Sequence, residues 1–378
     1  MQVVLNPHRD AAHDRYPQII EPLAVHQLLP GYTPTPLVDA PHVARRLGIG
    51  RVSIKDESFR LGLPSFKILG ASYAIYRALA ARLDQRTPWV SLDAWRAAIV
   101  PLRPLTLATA TDGNHGRAVA YMARLLNLQA RIFVPHGTVP ARIAAIANEG
   151  ADVRVTDAGY DEAVARAAQE ASDRCLVISD TAWEGYQAIP GWVIDGYATL
   201  FNEIDVALGQ YGMVQPNVIA VQMGVGALAA AAVRHYRQAH RTHHATIIGV
   251  EPTEAACILD SLVAGQIMPL SGRQQSIMAG LNCGTPSPIA WPILAAGLDL
   301  CVAIEDGWAE VAVRELAHAG IIAGESGGAG LAGMLALANT QTFGALALTP
   351  TSHLLVIATE GATDPESYAK AIRSPTDP

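Results

Sequence analysis

The sequence predicts an α/β protein of two open, twisted parallel-sheet lobes, with the smaller lobe (residues 89–194) inserted into the larger (residues 1–88 and 195–378). Three observations carry that expectation. Short apolar runs alternate with stretches of helical period along most of the chain, which is the pattern of parallel βαβ units. Glycine-rich or small polar loops follow several of the apolar runs, where an open α/β sheet leaves a crevice for ligands. A chain of 378 residues with 50% hydrophobic content can also bury a large core and divide it between two lobes.

Met1 to Pro36 is polar and punctuated by prolines. Arg51 to Glu57 then reads as a short strand, followed by the loop Arg60-Leu61-Gly62-Leu63-Pro64-Ser65-Phe66 and a helical pattern that opens at Lys67. In that helix Ile68, Leu69, Ala71, Tyr73, Ala74, Ile75, Ala78 and Leu79 form the apolar set, with Arg77 and Arg82 on the wet side. Pro88 to Pro104 reads as an irregular crossover holding Trp89 and Trp95. The next strands are expected at Leu105–Ala110, Ala130–Val134, Asp152–Val155 and Cys175–Ser179, with helices at Arg117–Leu126, Arg142–Asn148 and Asp161–Ala171. The alternation returns with strands Val218–Gln222, Thr246–Val250 and Leu354–Ala358 and helices Leu228–His240 and Glu310–Ala319.

Several function classes lose support on composition alone. Net charge is −7 and no dense Lys/Arg block occurs, so a nucleic-acid partner has no electrostatic footprint. The apolar stretch Val218–Val233 is too short to span a bilayer, and Met1–Tyr16 carries charges where a signal peptide would be apolar. A cytoplasmic protein is the expectation. Cys175, Cys257, Cys283 and Cys301 have neither metal-ligand nor dithiol spacing and read as buried thiols, with a Cys257–Cys283 bridge left open.

Lys67 is the candidate for chemistry. A first-turn lysine feels the positive end of the helix dipole, and apolar neighbours disfavour its ammonium form, so both push toward a neutral amine able to form a Schiff base. The competing reading is a lysine that snorkels to solvent. Three strand ends add polar groups. Thr109-Ala110-Thr111-Asp112-Gly113-Asn114-His115-Gly116 could bind a carboxylate on its amides, or simply cap a helix. Ser179-Asp180-Thr181-Ala182-Trp183-Glu184-Gly185-Tyr186 offers Asp180 as an N-cap or as a carboxyl with raised pKa acting as general acid. Gln222-Met223-Gly224-Val225-Gly226-Ala227-Leu228-Ala229 suits a phosphate at a helix N-terminus. Gly224, Gly226 and Ala229 equally fit a dinucleotide fingerprint, with Glu251 as the ribose-binding acid, so a nicotinamide enzyme is a rival. The lysine loop is what that rival leaves unexplained.

These motifs resemble the fold-type II pyridoxal-phosphate enzymes, and among them the diaminopropionate ammonia-lyases before the threonine and serine dehydratases. The resemblance extends through Trp192, Gly196-Tyr197-Ala198-Thr199, Ile277 to Leu281, Gly324-Glu325-Ser326-Gly327 and Thr359 to Asp364. It implies pyridoxal 5'-phosphate in the cleft between the lobes, bound to Lys67 as a Schiff base. It further implies that Phe66, Asn114, Glu325 and the loop Gly224, Val225, Gly226 and Ala227 surround the cofactor. Ala358 stands where some relatives carry serine, which makes Thr359 the residue expected at the pyridine nitrogen; Ala227 offers only backbone to the phosphate. Thr111, Asp112, His115 and Asp180 would meet the substrate, with Lys67, Asp112 and Asp180 catalytic and no metal. The implied reaction is β-elimination from 2,3-diaminopropionate through an aminoacrylate to pyruvate and ammonia, in a cytoplasmic homodimer whose partner is a small amino acid. Serine or threonine dehydration and biosynthetic β-replacement use the same machinery and stay open.

Overall fold

The structure, a computed structural model, describes residues 1–373 except 112, 158 and 339. It divides into two units, one formed by residues 1–19, 34–59 and 200–378 and the other by residues 20–33 and 60–199.

The first unit is built on a seven-stranded sheet. Its strands are β1 (Gln2–Leu5), β2 (Leu37–Asp39), β3 (Arg51–Asp56), β8 (Val218–Gln222), β9 (Thr246–Pro252), β10 (Leu300–Ile304) and β11 (His353–Ala358), in the order β1-β10-β9-β8-β11-β3-β2. The five central strands run parallel, and β1 and β2 close the two edges antiparallel. Strands β8, β10 and β11 are buried at every residue. That burial is why they read as continuous apolar runs rather than as alternating ones, since a parallel sheet is covered on both faces. The helix Glu325–Leu337 is buried along its whole length. It lies directly on the sheet because its glycines allow it: a Cβ at Gly327 would stand 2.3 Å from the Glu360 carbonyl oxygen, and one at Gly333 2.5 Å from Val250.

The second unit holds a four-stranded, all-parallel sheet. Here β4 (Thr106–Ala110), β5 (Gln129–Val134), β6 (Asp152–Val155) and β7 (Cys175–Val177) take the order β6-β5-β4-β7. The lysine helix Lys67–Arg82 belongs to this unit, whereas the sequence expectation groups residues 60–88 with the larger lobe. The physical reason is close helix packing. The helix Ala188–Gly196 meets it where both backbones are bare: a Cβ at Gly196 would lie 2.5 Å from the Leu69 carbonyl oxygen, and one at Gly70 2.6 Å from the Tyr197 ring. The expected irregular crossover is also more ordered than its prolines suggest. Ser91 caps a helix Leu92–Ala98, and the rings of Trp89 and Trp95 stack at 5.6 Å with Tyr76 edge-on to both.

All four cysteines are free and buried, so Cys257 and Cys283 do not pair. Among the described residues no helix is long and apolar enough to cross a membrane.

Candidate active site

In the second unit the chain turns sharply before Lys67. Arg60 and Leu63 exchange backbone hydrogen bonds of 2.8 and 2.9 Å across Leu61 (φ 54°) and Gly62 (φ 80°), a two-residue turn that needs positive φ at both central positions. Gly62 takes that conformation without cost, while Leu61 is held there, the kind of local strain that clusters at functional loops. Lys67 then opens its helix at the first position, behind Phe66 as N-cap and with no side-chain cap or acidic residue in the first turn. The Phe66 ring packs on Tyr197 at 4.7 Å between centroids and lies 5.5 Å from Lys67 Nζ.

Lys67 Nζ donates to Asp180 Oδ2 at 2.8 Å. This corrects the sequence expectation for both residues. Lys67 stands as the ion-paired partner of a carboxylate rather than a lone amine in an apolar wall. Burial pushes the Asp180 carboxyl up, as expected, but the Lys67 ammonium and His115 outweigh burial and hold it below the usual carboxylate range. Tyr160 adds a hydroxyl donor to Asp180 Oδ1 at 3.4 Å. The other two lysines of the chain are poorly placed for covalent chemistry. Lys55 is buried against Glu203 at 2.7 Å, and Lys370 is an exposed surface residue 3.7 Å from Glu310.

The loop after β4 is braced from within. Thr111 Oγ1 accepts the Gly113 amide at 2.9 Å, and Gly116 is required because a Cβ there would meet the Thr111 methyl at 2.2 Å. Asn114 begins the helix Asn114–Leu125. His115, expected to receive the substrate carboxylate, is buried and donates Nε2–H to the Ile178 carbonyl at 2.8 Å, which ties this loop to the segment carrying Asp180. Asp112 lies outside the described residues.

In the first unit the glycine loop joins β8 to the helix Ala227–Tyr236. Gly226 has φ +95°, and the helix has no side-chain cap, so the N-terminal donors are backbone amides. That is the arrangement that binds phosphate. Ser287 N holds the Val225 carbonyl at 2.9 Å. Thr359, just past β11, accepts a hydrogen bond from Gln222 Nε2 at 2.8 Å, which leaves its own hydroxyl proton to be given elsewhere. The same amide group contacts the carbonyls of Ser326, Gly327 and Ile357 at 2.9–3.1 Å, so Gln222 straps the residues on which Thr359 sits. Glu325 opens its helix and accepts the Ser367 hydroxyl. Glu251 does not wait for a ribose. It is buried and accepts the amides of Ile258 and Leu259 at 2.9 and 2.8 Å, capping the helix Cys257–Ala264, so the acid that the nicotinamide reading requires is already committed.

Tyr160 is the neighbour that sequence reasoning passed over, while Gln222 and Tyr197 stood inside motifs without a role assigned to their own side chains. Gln222 left a trace, being the one polar residue of the run Val218-Ile219-Ala220-Val221-Gln222. Tyr197 stood in the motif Gly196-Tyr197-Ala198-Thr199, and Tyr160 left no trace.

The family described as pyridoxal-phosphate dependent enzyme matches residues 28–349. Diaminopropionate ammonia-lyase of Escherichia coli K12 is 38% identical over 358 residues, covering 92% of this chain and 89% of that one. The crystal structure of holo diaminopropionate ammonia lyase from Escherichia coli superposes with a TM-score of 0.91 at 36% identity, covering 98% of this chain and 96% of that one. The same Escherichia coli enzyme in complex with an aminoacrylate-PLP azomethine reaction intermediate gives 0.88 at 34% identity and the same coverage. With a strand-loop-helix lysine, a carboxylate at its amine and an amide cradle on a glycine loop already in place, this chain belongs to the pyridoxal-phosphate dependent enzymes, in their diaminopropionate ammonia-lyase branch.

Proposed function

We propose that this protein is a pyridoxal-phosphate-dependent ammonia-lyase that converts 2,3-diaminopropionate and water into pyruvate and two ammonia molecules, by way of 2-aminoacrylate. Within each unit, the residues present suit their own part of the cofactor. Lys67 would carry it covalently beside Phe66 and Asn114, the amides of Gly224 to Ala227 would hold its phosphate, and Thr359 would donate to its ring nitrogen, with Glu325 assigned to the cofactor on the family resemblance. When bound, pyridoxal phosphate supplies the electron sink for charge developing at the substrate α-carbon.

The observation that carries the substrate is the Lys67–Asp180 pair. Loss of an amine from carbon requires that the nitrogen leave with its proton. Asp180, held ionised in a buried position, attracts a cationic β-ammonium group, whereas the hydroxyl of serine or threonine gives it no charge to pair with. Asp180 is also responsive. Whenever Lys67 loses its positive charge, the main force holding the carboxyl down is gone, and burial then favours the protonated form, so a proton that Asp180 takes from the β-ammonium on binding can be returned to the nitrogen as it leaves. The Tyr160 hydroxyl at Oδ1 keeps the carboxyl oriented through both states. Lys67 Nζ is the proposed base at the α-carbon for one enantiomer, and Asp112 for the other, with Thr111 and His115 at the substrate carboxylate end.

We place the enzyme in the cytoplasm, on four free cysteines that a reducing compartment preserves, and assign it a homodimeric state on the family resemblance. The test is pyruvate release by the cofactor-loaded protein from each enantiomer of 2,3-diaminopropionate, with L-serine and L-threonine in parallel. Preference for the diamine is expected. Faster release from serine or threonine than from either enantiomer makes it a dehydratase instead.

A further inference from the structure

The first unit carries a cluster that the reaction does not use. His42 lies on the helix Pro41–Leu47, and Glu315 and His318 lie three residues apart on the helix Asp306–His318, a spacing that puts both on one face. Their nitrogen and oxygen ligand atoms all fall within 4.8 Å of one another, and this is the only such histidine, cysteine or carboxylate group among the described residues. His42 Nε2 is 3.3 Å from Glu315 Oε2 and 3.0 Å from the Glu315 carbonyl oxygen. The His318 ring stands edge-on to His42 with centroids 6.0 Å apart. Arg46 bonds Glu315 Oε1, which fixes the carboxylate and leaves Oε2 turned to His42.

The geometry points to a binding site for a divalent cation of the zinc class, with His42, Glu315 and His318 as ligands. Tetrahedral zinc takes imidazole and carboxylate donors at about 2.0–2.2 Å, which sets donor atoms roughly 3.3–3.6 Å apart. The His42–Glu315 separation already meets that spacing once His42 Nε2 gives up its proton and its hydrogen bond to the Glu315 carbonyl, and the exposed His318 side chain closes the remainder by a rotamer adjustment. Two imidazoles select zinc, nickel or copper over magnesium or calcium, which prefer oxygen donors throughout. The partial exposure of the cluster leaves the fourth position to water. The positive charge of Arg46 opposes a cation, so the affinity is moderate rather than that of a closed structural site. An ion here joins the helix preceding β3 to a helix packed against Glu325–Leu337, and so reinforces the layer covering the large sheet.

The test uses the holoenzyme, dialysed against chelator and then titrated with zinc chloride by equilibrium dialysis, with magnesium chloride in parallel. Wild type is expected to take up one zinc more than His318→Ala and His42→Phe, or to bind that zinc at least tenfold more tightly. His318→Cys should retain it, because thiolate is also a zinc ligand. A zinc-induced rise in melting temperature should follow the same order. Equal uptake by wild type and both ligand-deleted variants overturns the site, and magnesium binding as tight as zinc overturns the ion class.

Discussion

Lys67 and Asp180 meet at 2.8 Å across 113 residues of chain, and what each does depends on the other. Reduction of the holoenzyme with borohydride followed by peptide mass analysis is expected to place the cofactor on Lys67 alone; label on Lys55 or Lys370 would refute the assignment. Asp180→Asn should lower kcat on the diamine by about 10²- to 10⁴-fold, the range for a lost general acid, while the visible spectrum of bound cofactor persists. A variant that loses cofactor and activity together would show that Asp180 serves binding rather than elimination. The lysine was legible in the sequence because strand, turn and helix follow one another locally. The state of Asp180 was not, because its controlling charges come from Lys67 and His115, far away in the chain and placed only by the fold.

At the scale of elements, legibility followed burial. Strands β8, β9 and β11 announced themselves as apolar runs ending in polar or glycine residues. Strand β10 did not, because Leu300–Ile304 follows closely on the apolar helix Trp291–Gly297 and no pattern marks the boundary. The edge strands β1 and β2 are short and partly exposed, so they carry no run at all. The helix Glu325–Leu337 shows no amphipathic period because it has no wet face. Its contact with the sheet makes a sharp prediction. Gly327→Ala must displace the backbone at Glu360, next to Thr359, so it should destabilise the protein by about 1–3 kcal/mol and weaken cofactor binding as well, read from thermal unfolding and a cofactor titration. Unchanged stability would mean that the helix rides higher on the sheet than described. Glu251, as the cap of Cys257–Ala264, gives a pH test. Burial pushes its carboxyl up to about 8, above the ordinary value of 4.5, so the folded state keeps a proton that the unfolded state releases. Its contribution is therefore fully present below the ordinary carboxylate range, declines as pH rises, and is gone above about 8. Glu251→Gln keeps an acceptor for one of the two amides, sets an NH2 donor against the other and removes the titration, so its melting temperature should start lower but fall less than that of wild type between pH 6 and 9. Parallel curves would exclude an uncharged Glu251.

For the whole molecule, the α/β class and the alternation of elements were readable because they rest on local period, whereas the partition of residues 60–88 was not, because it depends on the bare backbones of Gly70 and Gly196 meeting. Cofactor binding offers a measurement that integrates these levels. A ligand that binds only the native state adds RT ln(1 + [L]/Kd), about 2.7 kcal/mol at a hundredfold excess over Kd. Holoenzyme should therefore unfold several degrees above the cofactor-free protein, in proportion to added pyridoxal phosphate. Lys67→Ala separates the covalent contribution from the rest. If the Gly224–Ala227 amides and the Thr359 hydroxyl hold the cofactor as their geometry suggests, this variant should still be stabilised by pyridoxal phosphate, by a smaller increment, and adding Thr359→Val should reduce it further. Inorganic phosphate alone should give a fraction of the same shift, through the amides. Complete loss of stabilisation in Lys67→Ala would mean that the glycine loop contributes nothing without the lysine, and the phosphate assignment would fall with it.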